Sequence, residues 1–223
     1  MRKILFLLCL SVLTIAHSQN NYKIKCEVLP GTAISDTLYL ITNLETIPTV
    51  ESMAVVGNGT YTFVGKVSGP KYSNIVSVES GNIKHYGELY VEPGNINVKI
   101  GEHRHTVSGT FLNDRLQQYK DSVAPIVAMY EQYAAKCSRA KISQAALDEA
   151  KKVMIVTTMV RIDIAEKYIR KNHDNPVALY IMEQNYQLFP PEKGRELLSL
   201  LSFELQNTTQ AIKIKSFYSS SEE

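Results

Sequence analysis

The chain has 223 residues, with 24 basic and 22 acidic side chains, three cysteines and no tryptophan. That length suits one large domain or two small ones. Nucleic acid and an anionic membrane surface both call for a basic excess on one face, but here the basic residues are scattered among acidic ones, so neither partner is supported.

Residues 1–18 have the three-part layout of a secretory signal peptide. Met1-Arg2-Lys3 is basic, Ile4 to Ile15 is apolar, and Ala16-His17-Ser18 supplies the small residues that a signal peptidase reads, with cleavage expected between Ser18 and Gln19. The apolar run falls short of the ~20 residues a spanning helix needs, so no membrane span is expected after cleavage. The mature protein is expected in the periplasm or otherwise outside the cytoplasm. Cys9 leaves with the signal, because Leu8 is not the small residue that precedes a lipidated cysteine. Arg2 and Lys3 leave too, and the remaining chain is formally neutral.

Residues 19–110 read as strands. Tyr22, Ile24, Cys26 and Val28 alternate with charged residues, Pro30-Gly31 breaks the pattern, and Thr37 to Ile41 forms a second strand. Val50 to Val67 reads as a hairpin folded at Gly57-Asn58-Gly59, with Tyr61 and Phe63 on its inner face. Ile75 to Val78, Tyr86 to Val91, Ile96 to Ile100 and a short segment through Thr106 and Val107 complete about eight strands separated by turn signals. That spacing indicates an antiparallel β-sandwich or a partly open barrel. No stretch between strands is long enough for a crossover helix, which argues against a parallel α/β sheet.

Residues 111–218 read as a helical bundle. Leu112, Leu116, Tyr119, Val123, Ile126, Tyr130 and Ala134 recur at steps of three and four, with Asn113 or Thr110 as cap and Pro125 expected to kink or divide the helix. Ser143 caps a second helix from Gln144 to Lys171, whose apolar face is assigned to Leu147, Val153, Val156, Val160, Ile164 and Tyr168. Asn175-Pro176 is the clearest helix start in the chain. Pro190-Pro191-Glu192 opens a fourth helix, weakened slightly by Gly194, and Gln210 to Tyr218 forms a short last one. Residues 219–223 read as a disordered tail. Strands followed by helices make the fold class α+β.

Candidate chemistry is sparse. His103 and His105 share one side of a strand and His85 could join them, but no third or fourth ligand has a fixed spacing, so histidines at an exposed strand end are the better reading than a metal. No cofactor is expected. Cys26 and Cys137 read as small buried apolar residues, with a disulfide between them left open because spacing alone does not supply its geometry. No Cys-x-x-Cys, paired carboxylates, nucleophile elbow or phosphate loop occurs, so no catalytic residue is assigned. Tyr61, Tyr72, Tyr86 and Tyr90 either fill the core or line a groove. Asn58-Gly59-Thr60 and Asn207-Thr208-Thr209 match a glycosylation triplet, and Thr37 and Ser122 lie in O-glycosylation-like triplets; all are weak signals.

Several motifs together resemble a known family. They are Glu51-Ser52 with Val55-x-Gly57-x-Gly59-Thr60-Tyr61-Thr62-Phe63-x-Gly65-x-Val67, then Leu89-Tyr90-Val91-Glu92-Pro93-Gly94, then Val107-Ser108-Gly109-Thr110 with Leu112-Asn113, and Asn175-Pro176-Val177-Ala178. The set resembles the bacterial domain of unknown function that precedes thioredoxin-like domains (TlpA-like, AhpC/TSA-type) in extracytoplasmic thiol-disulfide oxidoreductases. The resemblance implies an accessory half of such an enzyme, without the redox domain and its Trp-Cys-x-x-Cys. A non-catalytic binding or adaptor protein with a thioredoxin-like envelope partner is the leading expectation. A truncated oxidoreductase remnant and a ligand-capturing β-sandwich are the alternatives.

Overall fold

The computed structural model describes residues 20–42, 48–57, 59–102, 104–138 and 142–220. The chain divides into two compact units, with the boundary between Asp114 and Arg115.

Among the described residues the first unit holds eight strands in two four-stranded sheets, and neither sheet closes into a barrel. The strands are β1 (Asn21–Val28), β2 (Thr37–Thr42), β3 (Thr49–Val55), β4 (Thr60–Lys66), β5 (Lys71–Glu79), β6 (Asn82–Val91), β7 (Gly94–Ile100) and β8 (His105–Ser108). One sheet runs β4-β1-β7-β8 and the other β3-β2-β5-β6. The alternation read from the sequence sets which side chains face inward. Ile24, Cys26, Tyr61, Phe63, Ile96 and Val98 are buried in the first sheet, as are Leu38, Leu40, Ile75 and Leu89 in the second, whereas Val64 between the aromatics is 64% exposed.

Two expectations are corrected here. The segment Val50 to Val67 is not a hairpin: β3 pairs with β2 and β4 with β1, so the chain passes from the edge of one sheet to the edge of the other. Among the described residues a single bridge, Gly57 with Thr60, closes the corner, and Asn58 lies outside them. Alternation specifies which face of a strand is apolar and leaves its neighbour open, so a hairpin and a corner share one pattern. The sandwich is also not wholly antiparallel, since β1 and β7 run parallel, with Ile24 opposite Ile96 and Cys26 opposite Val98. The long connection that a parallel pair needs is supplied by β2 to β6 instead of by a helix.

Gly65 on β4 faces Tyr22 on β1, and a Cβ there would lie 2.6 Å from the Tyr22 hydroxyl oxygen. The glycine in the Phe63-x-Gly65-x-Val67 motif is thus a seat for an aromatic ring.

Helices follow as α1 (Phe111–Cys137), α2 (Gln144–Lys171), α3 (Pro176–Asn185) with a 3-10 turn over Tyr186–Leu188, α4 (Pro191–Leu200), α5 (Phe203–Gln206) and α6 (Thr209–Ser220). Ser143 accepts from the Ala146 N–H at 3.3 Å and Asn175 from the Val177 N–H at 3.1 Å, as their cap positions required. Pro125 does not divide α1: a proline removes one donor, and the turns on either side carry the helix across it. The last helix continues through Ser219 and Ser220, beyond the expected start of a disordered tail; residues 221–223 lie outside the described set.

In the second unit, α1 and α2 run antiparallel. Tyr168 meets Ser122 at 2.9 Å and donates to the Gln118 carbonyl at 3.1 Å, while the Cys137 and Met154 sulfurs lie 3.9 Å apart farther along. A buried polar chain ties in α3: Asn185 donates to the Tyr119 hydroxyl at 2.8 Å and accepts from Arg161 Nε at 2.8 Å. On α2 and α4, Glu166, Arg170, Lys193 and Glu196 form an ion-pair network. Hydrogen bonds from Arg170 and Lys193 hold the Glu196 carboxyl below its usual range; at Glu166 burial pulls upward, but the same two cations outweigh it and the net shift is downward.

The apolar face assigned to α2 is corrected. Its buried positions are Ala150, Thr157, Ala165 and Ile169, whereas Val156 and Val160 are 58% and 38% exposed. This helix is apolar on more than one side, so periodicity alone does not choose a face. The small side chains let neighbouring helices approach closely, and they take the inner side.

Candidate functional site

Two of the motifs noted in the sequence meet at the junction of β6 and α1. Thr110 occupies the cap position, since its carbonyl accepts from the Asp114 N–H at 2.9 Å. The first turn of α1 is also capped from outside the helix: the Glu92 carboxylate accepts from the N–H of Leu112 at 2.8 Å and of Asn113 at 3.3 Å. A carboxylate there satisfies donors that have no intrahelical partner and complements the positive end of the helix dipole.

Asn113 is fully buried and acts in the opposite direction, from the helix to the sheet. Its Oδ1 accepts from the Tyr90 N–H at 2.9 Å, and its Nδ2 donates to the Tyr90 carbonyl at 2.7 Å and to Thr110 Oγ1 at 2.8 Å. Strand β6 ends its sheet, and Asn113 reaches both backbone groups of Tyr90. The side-chain amide, with one donor and one acceptor arm, serves as one peptide unit of the missing strand. Gly109 belongs to the same device: its φ is +102°, its N–H donates to Asp114 Oδ1 at 2.9 Å, and a Cβ would lie 2.4 Å from the Asn95 carbonyl oxygen. Glu51 in the first motif is likewise held, by Thr42 Oγ1 at 3.0 Å and Lys71 Nζ at 3.3 Å.

A cavity of about 330 Å³ opens at one end of the β unit, lined by the β1–β2 connection at Gly31 to Ala33, by Lys84, His85 and Tyr86, and by Gly101, Glu102, Arg104 and His105. The structure therefore does bring His85 and His105 together, with ring centroids 6.4 Å apart. Each ring has a structural tie. His85 Nε2 lies 2.8 Å from Asn74 Oδ1, and His105 Nε2 accepts the Glu88 N–H at 3.3 Å, another side-chain bond to the edge of β6. Lys84 donates to the Ala33 carbonyl at 3.3 Å and sits 5.3 Å from the Tyr86 ring centroid. His103 lies outside the described residues, and among the described ones no three His, Cys, Asp or Glu side chains converge as a metal set. Lys84, Glu102 and Arg104 carried no signal in the sequence beyond their neighbourhood to the histidines.

Residues 22–116 match the family model of a domain of unknown function, DUF4369. No curated protein matches the chain. The DUF4369 segment takes in Tyr22 of β1, all the later strands, the cavity and the β6–α1 junction, and it ends within the first turns of α1. The helical segment beyond residue 116 falls outside the match.

Within the DUF4369 segment Tyr61, Tyr86 and Tyr90 belong to the core, and Tyr86 also reaches the cavity wall. Tyr61, Tyr86 and Tyr90 are buried; Tyr61 donates to the Ser35 carbonyl, Tyr86 pairs with Ser77 Oγ at 3.3 Å, Tyr72 donates to the Glu88 carboxylate, and Tyr72 and Tyr90 stack edge to face at 5.5 Å. Cys26 is buried and free, and burial pushes its thiol up to about 12, well away from a reactive thiolate. Cys137 is also free and lies in the second unit, so no disulfide joins them. Of the glycosylation-like triplets, Thr37 is part of β2, Ser122 bonds the Gln118 carbonyl within α1, and Asn207 donates to the Phe203 carbonyl. No described helix is long and apolar enough to cross a membrane.

Some of the exposed surface is apolar. On β3, at the end of its sheet, Val50, Met53 and Val55 are 59%, 57% and 60% exposed. A register shift between Leu40 and Ile41 makes this possible, because it sets Val50 opposite Ile41 and Met53 opposite Tyr39, on one outer face. On α2, Ile155, Val156 and Met159 are similarly bare.

Proposed function

We propose that the protein is a non-catalytic extracytoplasmic binding or adaptor protein, exported by the signal peptide at residues 1–18 and serving a thioredoxin-like protein of the cell envelope. The observation that carries this reading is the β3 edge. Native sheets usually blunt an edge with charge, proline or a cover, whereas β3 offers Val50, Met53 and Val55 at the border of its sheet. Such an edge accepts an extended segment of a partner as an added strand, with alternate side chains choosing the sequence. The binding of Glu51, Glu92 and Asn113 to backbone and neighbouring side chains supports the non-catalytic part, since these motif residues have structural duties already.

The test is co-purification from an envelope fraction with the tagged chain as bait. A thioredoxin-like protein is expected in the eluate, and Met53→Glu with Val55→Glu is expected to lower its recovery about tenfold, the effect of roughly 1.4 kcal/mol. No partner above background, or equal recovery with the variant, overturns the reading.

A second reading, capture of a small ligand by the sandwich, is favoured by the cavity at His85 and His105 alone.

A further inference from the structure

The exposed side of α2 carries a pattern that is complementary to itself. Asp148, Lys152, Ile155, Val156, Met159, Val160, Asp163 and Lys167 fall within an arc of about 140° at 100° per residue. The four apolar members are 61%, 58%, 64% and 38% exposed, and all four charged members are exposed. Laid antiparallel on a second α2, with a two-fold axis between Thr157 and Thr158, the centre of this arc matches itself. Val156 meets Met159 and Lys152 meets Asp163, each twice, while Ile155 and Val160 line opposite borders of the seam. A parallel arrangement would set Lys152 on Lys152 and Asp163 on Asp163, so the charges choose the direction as well as the register.

We propose that this face of α2 is a self-association surface, and that its occupant is a second copy of the chain in an antiparallel, isologous dimer. The apolar centre supplies the attraction, and the flanking charges set the register. In the single chain Asp163 already pairs with Lys167 at 2.6 Å, and Asp148 accepts from Gln144 at 2.9 Å. Exposed pairs of this kind exchange at little cost, so the dimer is one of modest affinity that depends on concentration. One contact is unfavourable: Asp148 falls beside Glu166 at the rim, although Glu166 is already neutralised by Arg170 and Lys193. The surface lies in the helical unit, so it stands or falls separately from the β3 edge.

Sedimentation equilibrium of the purified chain tests it. A reversible monomer–dimer equilibrium is expected, and Val156→Glu with Met159→Glu is expected to weaken it at least about tenfold. Lys152→Asp alone is expected to weaken it, and Lys152→Asp combined with Asp163→Lys to restore it, a rescue that general loss of surface apolarity would not produce. All these positions are exposed, so melting temperatures are expected to stay within a few degrees of the parent. A chain that remains monomeric throughout, or a charge swap that fails to rescue, overturns the proposal.

Discussion

Gly194→Ala is expected to destabilise the helical unit, against the direction that helix propensity predicts. Alanine in a helix interior is favoured over glycine by about 1 kcal/mol, and Gly194 lies inside α4. Yet a Cβ there would lie 2.0 Å from Tyr218 Cζ and 2.2 Å from its hydroxyl oxygen. Tyr218 is fully buried, donates to the Tyr186 carbonyl at 2.6 Å, and anchors α6 against α4. Its ring has no room to yield while it keeps that bond. The variant must strain the backbone or undock Tyr218, and overpacking plus the loss of a buried hydrogen bond outweighs the propensity gain, for a net loss of about 2–4 kcal/mol. Urea denaturation measures it. In a Tyr218→Ala background the obstacle is gone, and Gly194→Ala is expected to become neutral or stabilising by up to about 1 kcal/mol. If the change stabilises the parent chain as well, the packing argument is wrong.

Asn113→Leu is expected to cost about 3–5 kcal/mol, since it removes the bonds that Asn113 makes to the N–H and carbonyl of Tyr90 in a buried setting. Leucine is similar in volume and a better helix former, so neither packing loss nor propensity explains a large effect. Glu92→Gln is the contrasting case. The amide oxygen still accepts from Leu112 and Asn113, and only the charge at the helix end is lost, so about 1 kcal/mol or less is expected. On a total stability of ~5–15 kcal/mol the first change threatens folding and the second does not. Equal effects from the two would mean that Asn113 contributes only as part of the helix cap.

Legibility in the sequence followed from whether the signal was local. Strand and helix positions depend on alternation, caps and turn residues, and Ser143, Asn175-Pro176 and the inward Tyr61 and Phe63 all stand where those rules put them. Pairing depends on residues far apart in the chain. The corner at Gly57 to Thr60 and the parallel β1–β7 pair were illegible because alternation is the same for every possible neighbour. Gly194 illustrates the same limit: its propensity cost is local and readable, while the Tyr218 ring that requires it arrives from 24 positions later in the chain. Glu92 was visible only as a family motif residue, and Asn113 as that and as a candidate helix cap. Their hydrogen bonds become apparent once β6 and α1 are side by side, where the motif residues form an edge cover and a helix cap.

The central claim is that these motif residues build the junction between sheet and helix. Amide hydrogen exchange at Tyr90 tests it most directly, because an outward amide on an edge strand ordinarily exchanges fast. In the parent chain the Tyr90 amide is expected to be as well protected as the core amides of β5, and in Asn113→Ala to exchange at least about a hundredfold faster while Ile24 on β1 stays protected. Rapid exchange at Tyr90 in the parent, or unchanged protection in the variant, would contradict the account.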